Sequence, residues 1–428
     1  MILALDGIRV LDIAQVAAAP MAARHLADFG ADVIHVEHAA RGDSWRVFGH
    51  GALRKLGIPV TNSKYTWECY NRNKRSAAIN LAHEAGQEIV RQLLKDADVV
   101  VTNLRPFELE KFNLEYESVR QLNPRIIFAQ LTGLGNKGIE KDSPGYDATT
   151  YWARAGIPYL LSRPGMFCAG FQAAVGDNVA AMTLAYGIVI ALYAREKTGQ
   201  GQEVDVSLFQ AGVYQMSYPV AYALGVGQQF ADRAVMPPPE LLAEAEAIQA
   251  KLLDFYMAKT GSAVATPLPY STKDGRHLML SLVQSDLYWS RLCAAIGRED
   301  LEDDPRFASS EARDDNNEAL YYLLKETFLG RPLEEWKTRL AGIPCGYFQT
   351  LADLVEDPVA GEGGFFIDYQ HPTHGRMKVL ASPVNLSETP ATIRMPAPEF
   401  GQHTEEVLLE RGYSWEDITR LREQGTIA

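Results

Sequence analysis

The first third of the chain alternates short apolar runs with amphipathic runs. The apolar runs are IRVLDIA, ADVIHVE, DVVVTNL and RIIFAQLT, and the runs between them, such as PMAARHLADFG, EAGQEIVRQLLKDA and YESVRQLNP, have helical periodicity. Uninterrupted β-branched runs are typical of parallel strands that are buried on both faces. Because right-handed βαβ crossovers connect such strands, the pattern predicts an α/β fold with a doubly wound parallel sheet.

Ligands of doubly wound sheets bind beyond the carboxyl ends of the strands. The pattern places those ends in four loops, at residues 15–20, 37–46, 103–107 and 132–138. We therefore expect a binding site where these loops meet.

The pattern changes after the first half of the chain. Residues 178–197 are apolar on all sides, which predicts a buried helix. A proline-led helical run at 237–261 and a hairpin that turns at Lys273-Asp274-Gly275 follow. We predict a Rossmann-like large domain, a smaller α+β domain with a helical insertion and a lid, and a C-terminal segment that returns to the large domain. Their predicted bounds are 1–225, 226–345 and 346–428.

Composition is that of an ordinary globular protein, with 428 residues, 47% apolar and 22% charged. The formal charge of −13 makes the chain a poor candidate for nonspecific nucleic-acid binding. The amino terminus lacks the pattern of a signal peptide, and no uncharged apolar run reaches the length of a membrane span. The four cysteines are far apart, without metal-ligand spacing or a disulfide framework. These observations predict a cytoplasmic protein with no membrane partner.

Several short motifs resemble known binding sites but lack the surrounding secondary structure that those sites need. GLGNKG at 133–138 follows a strand, but the polar, proline-broken segment after it cannot open the helix that a dinucleotide site needs. In HVEH, His35 and Glu37 share one face of a strand and His38 lies on the other, which disfavours a metal site. No nucleophile elbow and no P-loop motif are present. We expect no metal.

Asp177 stands between Gly176 and Asn178, directly before the long apolar run. Aspartate is a favoured N-cap and complements the positive end of a helix dipole. A carboxylate in this place, beside a glycine, is also open to an incoming substrate and near backbone N–H groups that could stabilise an oxyanion. The residues alone leave both interpretations open.

Several ordered blocks resemble the class III coenzyme A transferases, the family of formyl-CoA transferase and carnitine CoA-transferase. The blocks are LDGIRVLDIAQVAAAPMAARHLADFGADVIHVEHAARGDSWR, NRNKRSAAINL, ADVVVTNLRP with LNPRIIFAQLTGLG, GDNVAAMTLAYGIVIALYAREKTGQGQEVDVSLFQ and FGQHTEEVLLERGYSWEDITRLREQGTI. The resemblance implies that Asp177 attacks an acyl-CoA thioester and that the reaction passes through a mixed anhydride and an aspartyl-CoA thioester. It also implies that CoA is a substrate and that no cofactor is tightly bound.

The resemblance also implies which residues contact the substrate. By position, those expected to hold CoA are Val16, Ala17, Lys74, Arg75, Asn103, Leu104 and Lys111, with Gly176 beside the nucleophile. His38 stands where formyl-CoA transferase has an arginine, so Arg41 is expected to replace that phosphate contact. Residues 258–276 lack the family's run of glycines, which predicts a different lid and a bulkier substrate.

The same resemblance leaves alternatives for the reaction. The related 2-methylacyl-CoA racemases use the histidine of a GHD motif, whereas this chain has Tyr146 before Asp147. Since a phenol ionises only near pH 10, about three units above neutrality, we rank a racemase second and place Tyr146 near the thioester. A non-catalytic CoA-binding subunit is the third alternative.

The segment before Asp177 bears on the acyl group. It is rich in aromatic side chains and contains Arg154 and Arg163, which could meet a second carboxylate. It is similar to the subgroup that moves CoA from succinyl-CoA onto larger acids such as benzylsuccinate. The resemblance further implies an interlocked homodimer, with a heteromer of related subunits as the alternative.

Overall fold

The computed structural model describes residues 2–48, 50–55, 57, 64–161, 172–226 and 268–428. Arg163, the helical run at 237–261 and residues 258–267 of the expected lid lie outside these residues. The chain divides into two compact units. The larger unit comprises Met1–Leu160, Ala169–Gly225 and Gly361–Ala428, and the smaller unit comprises Leu161–Cys168 and Val226–Ala360.

The large unit is built on one six-stranded parallel sheet with the strand order β3-β2-β1-β4-β5-β6. The strands are β1 (Arg9–Ile13), β2 (Asp32–Glu37), β3 (Lys74–Ala78), β4 (Val99–Thr102), β5 (Ile127–Thr132) and β6 (Gln202–Ser207). The predicted doubly wound parallel sheet is confirmed. The pattern missed β3, whose sequence KRSAA begins with two charges and a serine and therefore lacks the apolar run that marks the other strands.

Helices connect these strands on both faces of the sheet. In the first 226 residues they are α1 (Ala18–Asp28), α2 (His50–Lys55), α3 (Lys64–Asn71), α4 (Glu84–Asp96), α5 (Pro106–Phe112), α6 (Tyr116–Leu122), α7 (Ile157–Leu161), α8 (Val175–Thr198), α9 (Leu208–Gln215) and α10 (Ser217–Val226). A 3-10 turn spans Ser44–Val47 and a π-helix spans Asp147–Arg154. The sequence pattern did not predict the π-helix, a form that is rare and is often found at functional sites.

The core lies in two layers, one on each face of the sheet. Because successive strand residues point to opposite faces, Val10 packs in the layer of α1 and α8, and Leu11 packs in the layer of α4 and α6. This two-sided burial explains why the strands are almost continuously apolar.

Helix α8 is less buried than its sequence predicts. Ala180, Leu184 and Ile188 are fully buried, but Tyr186 is 69% exposed and Tyr193 is 65% exposed. The expectation of a helix buried on all sides is therefore wrong for this single chain. By length and composition α8 could also cross a membrane, which is weak evidence because the core helix of a soluble protein passes the same test.

The small unit has an antiparallel sheet in the order β7-β8-β9, formed by Leu268–Ser271, His277–Leu280 and Cys345–Tyr347. The predicted hairpin is confirmed, with Gly275 at a φ of 72° in its turn. The helices of this unit are α11 (Ser285–Ile296), α12 (Ser310–Asp315), α13 (Asn317–Leu329), α14 (Leu333–Arg339) and α15 (Leu351–Val355), with a 3-10 turn at Glu299–Leu301; α16 (Pro358–Glu362) spans its end. Tyr270, Phe328 and Trp336 pack ring against ring in its core.

The C-terminal segment packs back on the large unit. It forms a hairpin of β10 (Phe366–His371) and β11 (Gly375–Leu380), followed by α17 (Thr404–Glu410) and α18 (Trp415–Glu423). Buried Asn73 holds it, because its amide donates to the Thr392 carbonyl over 2.7 Å and its side-chain oxygen accepts the N–H groups of Arg394 and Met395. The predicted final pair of helices is present.

Candidate active site

The site lies where the strand order reverses, between β1 and β4. The chain leaves β1 toward one side of the sheet and leaves β4 toward the other, which opens a crevice at their carboxyl ends. Two hydrogen bonds tie the loops together there. The Gln15 N–H donates to Asn103 Oδ1 over 3.1 Å, and Asn103 Nδ2 donates to the Gln15 carbonyl over 2.7 Å.

Two neighbouring cavities open at this crevice. The aspartate cleft, of about 210 Å³, is lined by the loop after β1, the Gly133 and Gly145 turns, Tyr146 and Asp177. The loop cleft, of about 610 Å³, is lined by the loops after β1, β2, β3 and β4. Both cavities include Gln15, Asn103 and Glu108 in their walls, so they are adjacent along one surface.

Asp177 occupies the third position of α8 and does not cap it. The helix begins at Val175, and its N-cap is Ala174, which has a left-handed φ of 65°. In the part of the chain that the structure describes, no hydrogen bond to the Asp177 carboxylate is found. The half-buried carboxylate therefore faces the aspartate cleft, without a hydrogen-bond partner among the described residues.

The electrostatics of the site come from a second carboxylate. Burial and, to a lesser extent, the nearby charge of Asp147 together raise the pKa of Asp177 to about 7. Burial also raises the pKa of Asp147, although the N–H groups of Ala174 and Gly176 lie around it and lower that pKa. None of these donors is aligned well enough to make a hydrogen bond to the Asp147 oxygens within the described residues. The two carboxyl groups therefore compete for ionisation.

Gly176 is required by the closeness of Asp147. A Cβ atom at position 176 would lie 2.2 Å from Asp147 Oδ1 and 2.2 Å from the ring of Tyr151. Any side chain there would push the π-helix away from the start of α8. The glycine before Asp177 thus allows a second carboxylate, that of Asp147, to lie close to the start of α8.

Most of the chain matches a known family. Residues 5–404 match the model of CoA-transferase family III. The chain belongs to this family. It is 31% identical over 425 residues to (R)-2-hydroxy-4-methylpentanoate CoA-transferase of Clostridioides difficile, covering 99% of both chains. It is 31% identical to cinnamoyl-CoA:phenyllactate CoA-transferase of Clostridium sporogenes, covering 99% of this chain and 97% of the relative.

The fold agrees with that assignment. The crystal structure of a CAIB/BAIF family protein from Brucella suis superposes with a TM-score of 0.75 at 27% identity, covering 96% of this chain and 100% of that one. The sequence resemblance to class III CoA transferases is confirmed, and the protein is a family III CoA-transferase.

Most of the residues that the resemblance implicated lie together in this transferase. The aspartate cleft contains Val16, Ala17, Asn103, Tyr146 and Asp177. The loop cleft contains His38, Arg41, Asn103, Leu104 and Lys111. Gly176 lies under Asp177 at the start of α8.

Lys74 and Arg75 are not brought to either cleft. They begin β3, and the clefts lie at the carboxyl ends of the strands. Lys74 is fully buried, and Arg75 is paired with Asp32, Glu406 and Glu410. A parallel strand places its first and last residues at opposite edges of the sheet, which accounts for the separation.

Other lining residues were not predicted as contacts, although Arg105 lies in the expected binding loop 103–107. Asn80, Leu81 and Ala82 follow β3 and line the loop cleft, and Arg105 and Glu108 follow β4. The carboxyl-end rule would have indicated the first three if β3 had been recognised. Arg105 is held by Glu108, with its Nε 3.1 Å from Glu108 Oε2.

The basic groups of the clefts differ in how far they are already engaged. Arg46, a further candidate for phosphate contact, is committed to Glu37 through two hydrogen bonds and lies over the ring of Trp67. Within the described ranges, Arg41 and Lys111 make no ion pair with a carboxylate. Those two cations of the loop cleft are therefore available to a phosphate group. Arg154 pairs with Glu140.

Proposed function

We propose that this transferase moves CoA between carboxylic acids through a covalent intermediate on Asp177. The observation that carries the proposal is the Asp177 carboxylate, which lines the aspartate cleft with no structural partner in the described residues. A structural cap would be engaged with backbone N–H groups. A nucleophile must instead be free to approach a carbonyl carbon.

Because one carboxylic acid replaces another, the steps keep the energy of the thioester bond. The Asp177 carboxylate attacks the carbonyl of the donor acyl-CoA, a mixed anhydride forms and CoA thiolate leaves. The thiolate attacks the aspartyl carbonyl of the anhydride, which gives an aspartyl-CoA thioester and releases the donor acid. The carboxylate of the acceptor acid attacks that thioester, which forms a second mixed anhydride and again frees CoA thiolate. The thiolate then attacks the acceptor's carbonyl, which gives the new acyl-CoA and restores Asp177.

The two cavities suit the two ends of the substrate. Arg41, Lys111 and His38 surround the loop cleft and would bind the phosphates of CoA, with Asn80 and Leu104 beside them. The aspartate cleft, with Tyr146 and Val16, would hold the acyl group at Asp177. CoA enters as a substrate in this scheme.

The acceptor is proposed to be a 2-hydroxy acid with a bulky apolar side chain. Both relatives at 31% identity are named for such acids, 2-hydroxy-4-methylpentanoate in one and phenyllactate in the other. The 65% exposed Tyr146 ring at the cleft offers an apolar surface to such a side chain. The proposed 2-hydroxy acid is a narrower class than the larger, sometimes aromatic acceptor that the sequence resemblance implied. That resemblance also implied succinyl-CoA as the donor.

We also propose that two copies of this chain form an interlocked homodimer in the cytoplasm. Helices α8, α9 and α10 expose Tyr186, Tyr193, Tyr214 and Tyr218, each by at least 65%. Exposed aromatic rings in this number, on helices that follow one another in the chain, are typical of a surface that another chain covers. Cys69, Cys293 and Cys345 are free thiols, as a reducing compartment favours.

Replacement of Asp177 by asparagine tests the mechanism. We expect Asp177→Asn to lose transfer by roughly 10³-fold or more, as other covalent enzymes do without their nucleophile, while its unfolding temperature changes little. The parent mixed with acyl-CoA and trapped with hydroxylamine should carry a modification on the peptide that contains Gly176-Asp177-Asn178. An Asp177→Asn protein that is fully active and shown by mass to be free of deamidation would contradict the proposal.

The pH dependence tests the pairing of the two carboxylates. Asp177 attacks only when ionised, so kcat/KM for the donor should rise with pH through an apparent pKa of about 7. Asp147→Asn removes a neighbouring negative charge, which lowers the pKa of Asp177 and should move the midpoint to lower pH. Asp205→Asn, which changes a carboxyl of raised pKa on β6, is the control and should leave the midpoint in place. A midpoint unchanged in Asp147→Asn would show that the two groups are not coupled.

A screen of acceptors tests the substrate class. With acetyl-CoA, succinyl-CoA or cinnamoyl-CoA as donor, we expect phenyllactate and 2-hydroxy-4-methylpentanoate to be converted at least about tenfold faster than benzylsuccinate, a discrimination that one or two pocket contacts can supply. Products are identified by mass. Preference for benzylsuccinate or for a dicarboxylic acid would overturn the assignment of a 2-hydroxy acid. Loss of α-deuterium without any new thioester would instead indicate a racemase.

Light scattering tests the homodimer. The parent should have the mass of two chains, and Tyr186→Asp with Tyr193→Asp should prevent assembly, because two charges would be buried in an apolar contact. Tyr322→Asp, at a 44% exposed position of α13, is the matched control and should remain dimeric. A monomeric parent that transfers CoA would contradict the proposal.

A further inference from the structure

Val16 has a backbone conformation that its side chain disfavours. Its φ is 72°, in the left-handed region, where a β-branched residue is strained. Among the described non-glycine residues only Asn73, Asn113 and Ala174 share a positive φ, and asparagine tolerates it well. Val16 lines the aspartate cleft, and Ala174 caps the helix of Asp177. The surrounding structure must hold Val16 in place.

Asp43 supplies the direct hold on Val16. The Val16 N–H donates to both carboxylate oxygens of Asp43, over 3.0 and 3.2 Å. The same carboxylate accepts the Trp45 N–H over 2.8 Å, and the Asp43 N–H donates to Glu37 over 2.9 Å. Asp43 is only 3% exposed, so its orientation is fixed from several sides.

Three more buried side chains stand behind Asp43. His35 Nδ1 lies 2.8 Å from Asp12 Oδ2, and His35 Nε2 lies 3.4 Å from Asp43 Oδ2. Lys74 Nζ donates to Asp12 over 2.8 Å. Asp12, His35 and Lys74 come from three adjacent strands and are all fully buried on the α1 side of the sheet.

Lys74 also reaches the other end of the turn that contains Val16. Its ammonium donates to the Pro20 carbonyl over 2.7 Å, in the first turn of α1, and to Asn71 over 2.8 Å. The backbone from Val16 to Pro20 is therefore hydrogen-bonded at its first N–H to Asp43 and at its last carbonyl to Lys74. Both hydrogen bonds come from the same series of buried side chains.

The charges of the four buried side chains Lys74, Asp12, His35 and Asp43 balance only when His35 is protonated. A neutral ring would turn a lone pair toward one of its two carboxylate neighbours. Burial alone would lower the pKa of His35, as the charge of Lys74 does, but Asp12 and Asp43 together raise it to about 9. Glu37 is neutralised separately by Arg46. Two cations thus face two carboxylates inside the protein.

We propose that the buried chain Lys74–Asp12–His35–Asp43 is a positioning device that holds Val16 in its left-handed conformation and thereby fixes the backbone wall of the aspartate cleft against the thioester. The proposal rests on the proposed binding of the thioester in that cleft. It gives Lys74 a role from inside the sheet, without contact to CoA.

A double-mutant cycle tests the coupling of Asp43 to Val16. Asp43→Ala should lower kcat/KM for the donor thioester roughly 10- to 100-fold, the range for a lost hydrogen bond to a charged group. In a Val16→Gly background the same change should cost less than about threefold, because glycine adopts a positive φ without an anchor. The affinity for free CoA provides a second measure of the coupling, obtained by calorimetry on the parent, the two single variants and the double variant. Equal losses in both backgrounds would overturn the proposal.

Asp43→Asn provides a second test that does not depend on Asp43→Ala folding. The amide oxygen can still accept the Val16 N–H, and its NH₂ can donate to an unprotonated His35. Parent activity should fall as pH rises through about 9, where His35 loses its proton, and this decline should be absent in Asp43→Asn. A decline of the same midpoint and size in both proteins would rule out the role of His35.

The outcome is separable from that of the covalent mechanism. Asp177→Asn and the hydroxylamine trap decide whether Asp177 is the nucleophile, whatever the cycle shows. If the parent transferred no CoA at all, the mechanism would fail. The double-mutant cycle of Asp43 and Val16, measured as CoA affinity, would still test whether Asp43 holds Val16.

Discussion

The reversal of strand order between β1 and β4 is the constraint on which the site depends. Crossovers on opposite sides of the sheet leave the loops after these strands uncovered and adjacent. The paired hydrogen bonds between Gln15 and Asn103 fix their spacing. Helix α8 then brings its first turn to the same edge, so Asp177 meets a cleft that the sheet has already formed.

The local chemistry follows from placing two carboxyl groups at one helix start. A helix N-terminus favours negative charge, and here two carboxyl groups lie near the same few N–H groups. Asp147 approaches those donors across the bare Cα of Gly176, and Asp177 is left facing the cleft. Burial and the neighbouring charge then hold the pKa of Asp177 near neutrality, at about 7. A carboxylate with that pKa is more nucleophilic than an ordinary one and is still ionised in part at neutral pH.

Much of this fold could be predicted from periodicity, because the strands β1, β2, β4 and β5 are continuous apolar runs between amphipathic helices. Strand β3 could not, since its buried polar positions, Lys74 and Ser76, are satisfied by partners distant in sequence. The same gap hid Asn80 and its neighbours from the candidate site. The GDN segment indicated Asp177, but whether it caps a helix depends on where α8 begins. At that boundary Gly176 lies against Asp147 and Tyr151, which packing brings from another element.

The buried charges near the site show what the protein gains from an arrangement that contributes little to stability. Moving two cations and two carboxylates out of water costs about as much as their attraction returns, so an apolar cluster of the same volume would serve the fold equally well. An apolar cluster cannot, however, hold a backbone N–H in a strained conformation. Asp43 can, because its carboxylate offers two acceptors to the Val16 N–H, and His35 Nε2 lies 3.4 Å from one of them. The charge network is therefore best understood through the geometry of Val16, because that residue forms part of the wall of the cleft that Asp177 lines.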